Sequence, residues 1–235
     1  MTKSSLSLLS PSLRGAPPST RASFGRTLRG FVAAAACLTL VALAPPAGAQ
    51  ANAQAFVEQE HGRLTALMKQ PANAGREATI SSELDRMVDY DELARRTFGL
   101  PCPPRVSQCQ NHWDALSADQ KKEVTELLRK LVERNYKKNL RKTLDYEITY
   151  KGSRASGGDT TIRTEAKSKT KPRESPVTVD YIVSSASGAY KVVDIRTEGS
   201  SLAKNYYQQF HRMLTTPGQG YPHVTKRLRD KIAAP

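Results

Sequence analysis

The chain has little with which to carry out covalent or metal chemistry. Its four histidines, His61, His112, His211 and His223, are scattered, and neither a His-x-x-x-His nor a Cys-x-x-Cys pair occurs. No Gly-rich phosphate loop and no Gly-x-Ser-x-Gly elbow follows an expected strand. These absences exclude the usual sequence signatures of zinc hydrolases, P-loop enzymes and serine hydrolases, so no catalytic residue and no metal site is assigned. The chain also lacks a convincing membrane span. Its amino-terminal apolar run, Phe31 to Ala44, has 14 residues, short of the roughly 20 that cross a bilayer as a helix.

That run belongs to an export signal. Lys3, Arg14, Arg21, Arg26 and Arg29 precede every acidic residue, the apolar run follows, and Ala47-Gly48-Ala49 supplies a small-x-small cleavage site. Residues 1–49 are therefore expected to be a cleaved signal peptide that takes Cys37 with it, leaving residues 50–235 as one domain, soluble in the periplasm. Loss of five basic residues lowers the formal charge from +14 to +9. In an exported protein, such a balance suits anionic lipid headgroups or a membrane surface better than nucleic acid. Only Cys102 and Cys109 remain after cleavage, and an even pair in an oxidising compartment is expected to form a disulfide. A metal would need two further ligands nearby, and only His112 is close.

The domain opens with helical patterns. Phe56, Leu64, Leu67 and Met68 mark a first helix from Ala51 to Met68, broken at Pro71-Ala72-Asn73-Ala74-Gly75, and Leu84, Met87 and Val88 mark a second from about Thr79. Ser117-Ala118-Asp119-Gln120 has the spacing of a capping box. The helix it starts should run to about Arg141, with Val124, Leu127, Leu128, Leu131, Val132 and Tyr136 on one face. Periodicity leaves open whether that stripe packs a core or lines a cavity.

From Asp145 the period changes from helical to two. Tyr146, Ile148 and Tyr150 alternate with Glu147 and Thr149, a second strand is centred on Ile162, Val177 to Val183 forms a third, and Tyr190 begins a fourth. The connections are too short for parallel crossovers, which predicts a four-stranded antiparallel meander. The last strand passes through Gly199 into a helix carrying Leu202, Tyr206, Phe210, Met213 and Leu214, and a final short helix carries Val224, Leu228 and Ile232. Helices before and after an antiparallel sheet make an α+β domain.

The run Tyr190 to Leu214, a strand passing into Glu198-Gly199-Ser200-Ser201-Leu202 and then Asn205-Tyr206-Tyr207-Gln208-Gln209-Phe210, resembles the carboxyl-terminal signature of MlaC-type phospholipid-binding proteins of the toluene-tolerance family. Asp89-Tyr90-Asp91, Phe98-Gly99 and Trp113 extend the resemblance, whereas the cysteine loop between Gly99 and Trp113 departs from it. The resemblance implies a curved antiparallel sheet wrapped by helices around an apolar lipid cavity, with phospholipid as the ligand and no cofactor. It also implies two partners, an inner-membrane ABC lipid transporter complex and an outer-membrane lipoprotein complex, between which such proteins move lipid to maintain outer-membrane asymmetry. Asp194 could be a buried acid of an isomerase-like site, or a hydrogen-bonded carboxylate at the strand-helix junction. The family keeps an acid there without enzymatic use, which favours the second.

On this reading the cavity is lined by Tyr146, Ile148, Tyr150, Val179, Tyr181 and Val192 of the sheet and by Leu128, Leu131, Tyr206 and Phe210 of two helices. Which sheet face points inward depends on strand bulges. Two other readings stay open at this point: a carrier of another amphiphile such as a hopanoid, and an exported interaction domain with a filled core and no ligand.

Overall fold

The computed structural model describes residues 47–234. The basic segment and apolar run of the expected signal lie outside the described residues, while Ala47-Gly48-Ala49 forms the start of the first helix. The elements are α1 (Ala47–Met68), α2 (Ala74–Met87), α3 (Tyr90–Thr97), α4 (Ala118–Thr143), β1 (Tyr146–Ser156), β2 (Asp159–Ser168), β3 (Val177–Ser184), β4 (Lys191–Thr197), β5 (Ser200–Ser201), α5 (Leu202–Thr215) and α6 (Tyr221–Ala233).

Side-chain caps fix where the helices start. Gln120 N–H donates to Ser117 Oγ at 3.2 Å, and Ser117 N–H donates to Gln120 Oε1 at 2.9 Å, so both halves of the capping box ahead of α4 are made. Asp89 caps α3 by accepting from Glu92 N–H at 2.9 Å, and Ser201 caps α5 by accepting from Lys204 N–H at 3.0 Å. Helix α2 starts five residues before the expected Thr79. The side-chain oxygen of Asn73 accepts from Arg76 N–H at 2.8 Å, so part of the segment expected to be a break is the cap and first turn of a helix.

The sheet is an antiparallel meander in the order β1-β2-β3-β4-β5, one strand more than expected. The extra strand comes from Glu198 (φ 50°) and Gly199 (φ 74°), both left-handed. Two such residues in succession make the tight hairpin turn that folds Ser200 and Ser201 back onto Thr197 and Arg196. Glu198 is an unfavourable residue at positive φ. It is held by two contacts to Thr178, its N–H donating to the carbonyl at 2.9 Å and its carboxylate accepting from the amide.

Two bulges decide which side chains share a face. The register shifts between Tyr150 and Gly152 of β1, and again opposite Ile182 and Val183 where β4 carries Val193 as an extra residue. The second shift lets Val192 and Ile195 sit on one face, although three residues apart, with Val192 across from Val183 and Ile195 across from Tyr181. Buried Ile162, Thr164, Val183 and Val192 lie on this inner face.

The buried side chains form two clusters. The first joins the inner sheet face to Val57, Leu64 and Met68 of α1 and to Ile80, Leu84 and Met87 of α2. The second is built from helices, with Ala94, Val124, Leu128, Leu131, Tyr206, Phe210, Val224 and Leu228 brought together from α3, α4, α5 and α6. Phe98 links them to the loop that follows α3, its ring 5.2 Å from Phe210 and 6.1 Å from Trp113.

Cys102 and Cys109 are bonded to each other, with their Cα atoms 6.0 Å apart. The loop returns to α5, where Gln110 N–H donates to Tyr207 Oη at 2.9 Å. Gly99 is required here. It has φ 86°, and a Cβ at this position would strike the Gln110 carbonyl and lie 2.8 Å from Tyr207 Cε2. Replacing both cysteines by serine is expected to cost roughly 2–3 kcal/mol of stability by loop entropy. Because the loop lies beside Thr161, Ile182 and Asp194 on the opposite face of the sheet, the change should leave ligand content unaltered. Denaturant unfolding alongside ligand quantification checks both halves of this prediction.

Candidate ligand-binding site

The inner sheet face is an apolar surface that the described helices leave partly uncovered. Pairing register places all six expected strand residues on it. Tyr150 lies across from Thr164, which lies across from Val179; Ile148 is paired with Ala166, Tyr146 with Ser168, Tyr181 with Ile162 and Val192 with Val183. Val192 is buried, whereas Tyr146, Ile148, Tyr150, Val179 and Tyr181 are only partly covered.

The other four expected residues are elsewhere. Leu128, Leu131, Tyr206 and Phe210 belong to the second, all-helical cluster and are 1–4% exposed, packed against one another and closed to solvent. Lys231 Nζ lies 4.7 Å above the Tyr206 ring and closes that side. The apolar stripe of α4 thus divides: its first half packs α3, α5 and α6, while Val132 and Tyr136 further along reach the inner sheet face.

Three phenols converge there. Burial raises Tyr136 well above an ordinary phenol, and the neighbouring Tyr181 and Tyr150 hydroxyls raise it further. Tyr181 is pushed up to about 12 by burial alone, and Tyr150 is raised by burial, then by Tyr181 and Glu58. Each ring packs against the first cluster and leaves part of its surface open. Tyr136 was not among the residues expected to line the site. Its place on the α4 stripe was evident, but which half of that stripe meets the sheet depends on the tertiary fold.

A cleft of about 670 Å³ opens between α1 and β1, and of the three phenols Tyr150 lines it. Leu144, Tyr146, Ile148 and Tyr150 supply its apolar wall, and Glu58, Lys69 and Lys169 stand at its rim. His61 of α1 reaches across, its Nδ1 3.2 Å from Tyr150 Oη, and burial lowers its basicity. The α1 wall is tied to α2 by the buried carboxylate of Glu60, 3.0 Å from Arg86 Nη2 and 3.0 Å from Arg63 Nη1. An amphipathic cleft leading to a partly uncovered apolar face can take up an amphiphile by its chains.

Asp194 is buried, on the opposite face from the phenols, across from Ile182. Burial raises its carboxyl above the usual range despite its hydrogen bonds. Oδ1 accepts from Ile195 and Ala203 N–H, each at 2.9 Å, and Oδ2 accepts from Ser201 Oγ at 2.6 Å. Both oxygens hold the β4–α5 junction, as the structural alternative for this residue requires. Among the described residues no group of three or more His, Cys, Asp or Glu side chains is placed to hold a metal ion, and no helix is long and apolar enough to cross a membrane.

Comparison with known proteins accords with this geometry. The family described as MlaC protein matches residues 58–230, most of the chain and all of the elements from α2 to α5. The chain belongs to the MlaC family. Among solved structures it is similar to a phospholipid-binding protein from Ralstonia solanacearum determined in complex with a phospholipid. The TM-score is 0.60 at 21% identity, over 77% of this chain and 97% of that one. At that identity the likeness is one of fold, and it extends to the mixed α+β architecture with an open antiparallel sheet. No curated protein matches the sequence.

Proposed function

We propose that this MlaC-family protein is a periplasmic phospholipid carrier, exported by residues 1–49 and working as the domain 50–235 without a cofactor and without enzymatic activity. It shuttles lipid between an inner-membrane ABC transporter complex and an outer-membrane lipoprotein complex, and so maintains the lipid asymmetry of the outer membrane. The observation that carries the reading is the partly uncovered inner face of the sheet, where Tyr146, Ile148 and Tyr150 line an open cleft of about 670 Å³. Family membership and the phospholipid held by a protein of like fold support it.

The physical requirement is large. Two acyl chains carry on the order of 30 methylenes, and at about 0.8 kcal/mol each their exposure to water costs roughly 25 kcal/mol. A carrier has to cover most of that surface and still release it. We assign the covering to the six strand residues Tyr146, Ile148, Tyr150, Val179, Tyr181 and Val192, together with Tyr136. Leu128, Leu131, Tyr206 and Phe210 form the rigid helical block beside them. An open cleft with charged groups only at its rim leaves a polar headgroup near solvent.

Transfer of labelled phospholipid from donor to acceptor vesicles, measured against protein concentration, tests the function. The rate should rise in proportion to protein, and label should be recovered on protein separated from both vesicle populations. No transfer, together with an intact amino-terminal apolar run on membrane-bound protein, would refute a diffusing carrier. Uptake of a polycyclic amphiphile in preference to phospholipid would keep the carrier and change its cargo.

A further inference from the structure

A second pocket, of about 320 Å³, is lined by Met68, Arg76, Glu77, Ile80, Lys137 and Lys138. Its floor is apolar, since Met68 and Ile80 belong to the buried cluster that backs the inner sheet face. Its walls bring Arg76 and Lys137 to a single shared carboxylate, Glu77.

Arg76 is the unusual member. It is 7% exposed in the first turn of α2, and a guanidinium cannot shed its charge when buried as an amine can. Its Nη1 donates to the Gln70 carbonyl at 2.8 Å and its Nη2 to Glu77 Oε1 at 2.7 Å, while Nε is buried without a partner. Its acidic partner, Glu77, is 42% exposed and also stands 3.9 Å from Lys137. Lys137 Nζ spends its short contact on a neutral hydroxyl, Ser81 Oγ, at 2.7 Å. The amino-terminal end of α2 adds partial positive charge to the same place.

We propose that this pocket binds a phosphate group. A phosphate oxygen replaces Glu77 as acceptor for Arg76 and takes Lys137 from Ser81, exchanging one solvent-exposed counter-ion for a dianionic or monoanionic group with more acceptors than a carboxylate. The apolar floor beside a cationic wall fits the boundary between a phospholipid headgroup and its chains. Assigning the phosphate to a lipid rests on the carrier reading; binding of free phosphate does not.

The test uses Lys137→Gln and Glu77→Gln, with Arg76→Gln as a third variant whose unfolding temperature is recorded because its side chain is buried. Calorimetric titration with inorganic phosphate is set beside uptake of phosphatidylglycerol and of diacylglycerol, which has the same chains and no phosphate. Lys137→Gln should weaken phosphate-group binding by about tenfold, the loss of one charge-assisted hydrogen bond. Glu77→Gln should strengthen it, an effect of opposite sign that a merely structural role would not produce.

If phosphatidylglycerol responds to these changes and diacylglycerol does not, the ligand is a lipid headgroup. If only inorganic phosphate responds, it is the free anion. Phosphate and phosphatidylglycerol binding both unchanged in folded Lys137→Gln and Glu77→Gln proteins would overturn the proposal while leaving the carrier intact. Wild-type protein that takes up neither lipid, yet binds phosphate through Lys137, would keep the pocket and remove the carrier.

Discussion

Phe210→Ala should destabilise the protein by about 3–5 kcal/mol, the range for truncating a fully buried aromatic ring. Phe210 is 1% exposed, with the rings of Phe98 and Tyr206 at 5.2 and 5.5 Å, in a helical cluster that has no opening to solvent. Phe210 of α5 shares its cluster with Leu128 and Leu131 of α4 and Val224 of α6, so the void left behind cannot collapse without moving a helix. Denaturant unfolding measures the loss directly. A cost below about 1 kcal/mol would mean that the helical block is loosely packed, and the division between rigid block and ligand space would fail.

Ile148→Glu should do the reverse, sparing the fold and removing the ligand. Ile148 is half-buried on β1, an edge strand, and faces the α1–β1 cleft. In the protein without ligand a carboxylate there can reach water through the open cleft, so the cost in stability is small. Against acyl chains the same carboxylate loses its hydration, at a cost of at least a few kcal/mol. Co-purified phospholipid should therefore fall by about tenfold or more, since 1.4 kcal/mol already gives a factor of ten. Unfolding temperature and lipid per protein, measured on the same preparation, separate the two effects. Lipid content unchanged in a folded Ile148→Glu protein would show that the cleft is not the way in.

Much of this architecture was legible in the amino acids because local rules determine it. The change from helical to alternating period at Asp145, the capping box at Ser117 and the short strand connections specified the meander and its flanking helices, and the even cysteine pair specified its disulfide. The misplaced start of α2 was a local signal passed over, since Asn73 three residues before Arg76 is a capping arrangement hidden among turn residues. Strand β5 was less visible, because Glu198 adopts a left-handed backbone that its side chain disfavours and that two contacts to Thr178 on β3 impose.

The site itself divides in the same way. Alternation brought the six strand residues onto one face, but the bulge at Val193 decided that Val192 joins them. For the helices, a stripe that packs a core and a stripe that lines a cavity have the same period. Leu128 and Tyr136 are eight residues apart on one stripe of α4, and one is sealed among helices while the other faces the sheet. That distinction depends on where α1, α3 and α6 pack along α4, which no local pattern encodes.

The most direct measurement of the central claim is mass spectrometry of the purified protein under non-denaturing conditions, followed by extraction with organic solvent. The account predicts a population heavier than the polypeptide by the mass of a diacyl phospholipid, which collapses to the bare chain on extraction and yields that lipid in the organic phase. A polypeptide at its bare mass before extraction, still without adduct after incubation with phospholipid vesicles, would contradict it.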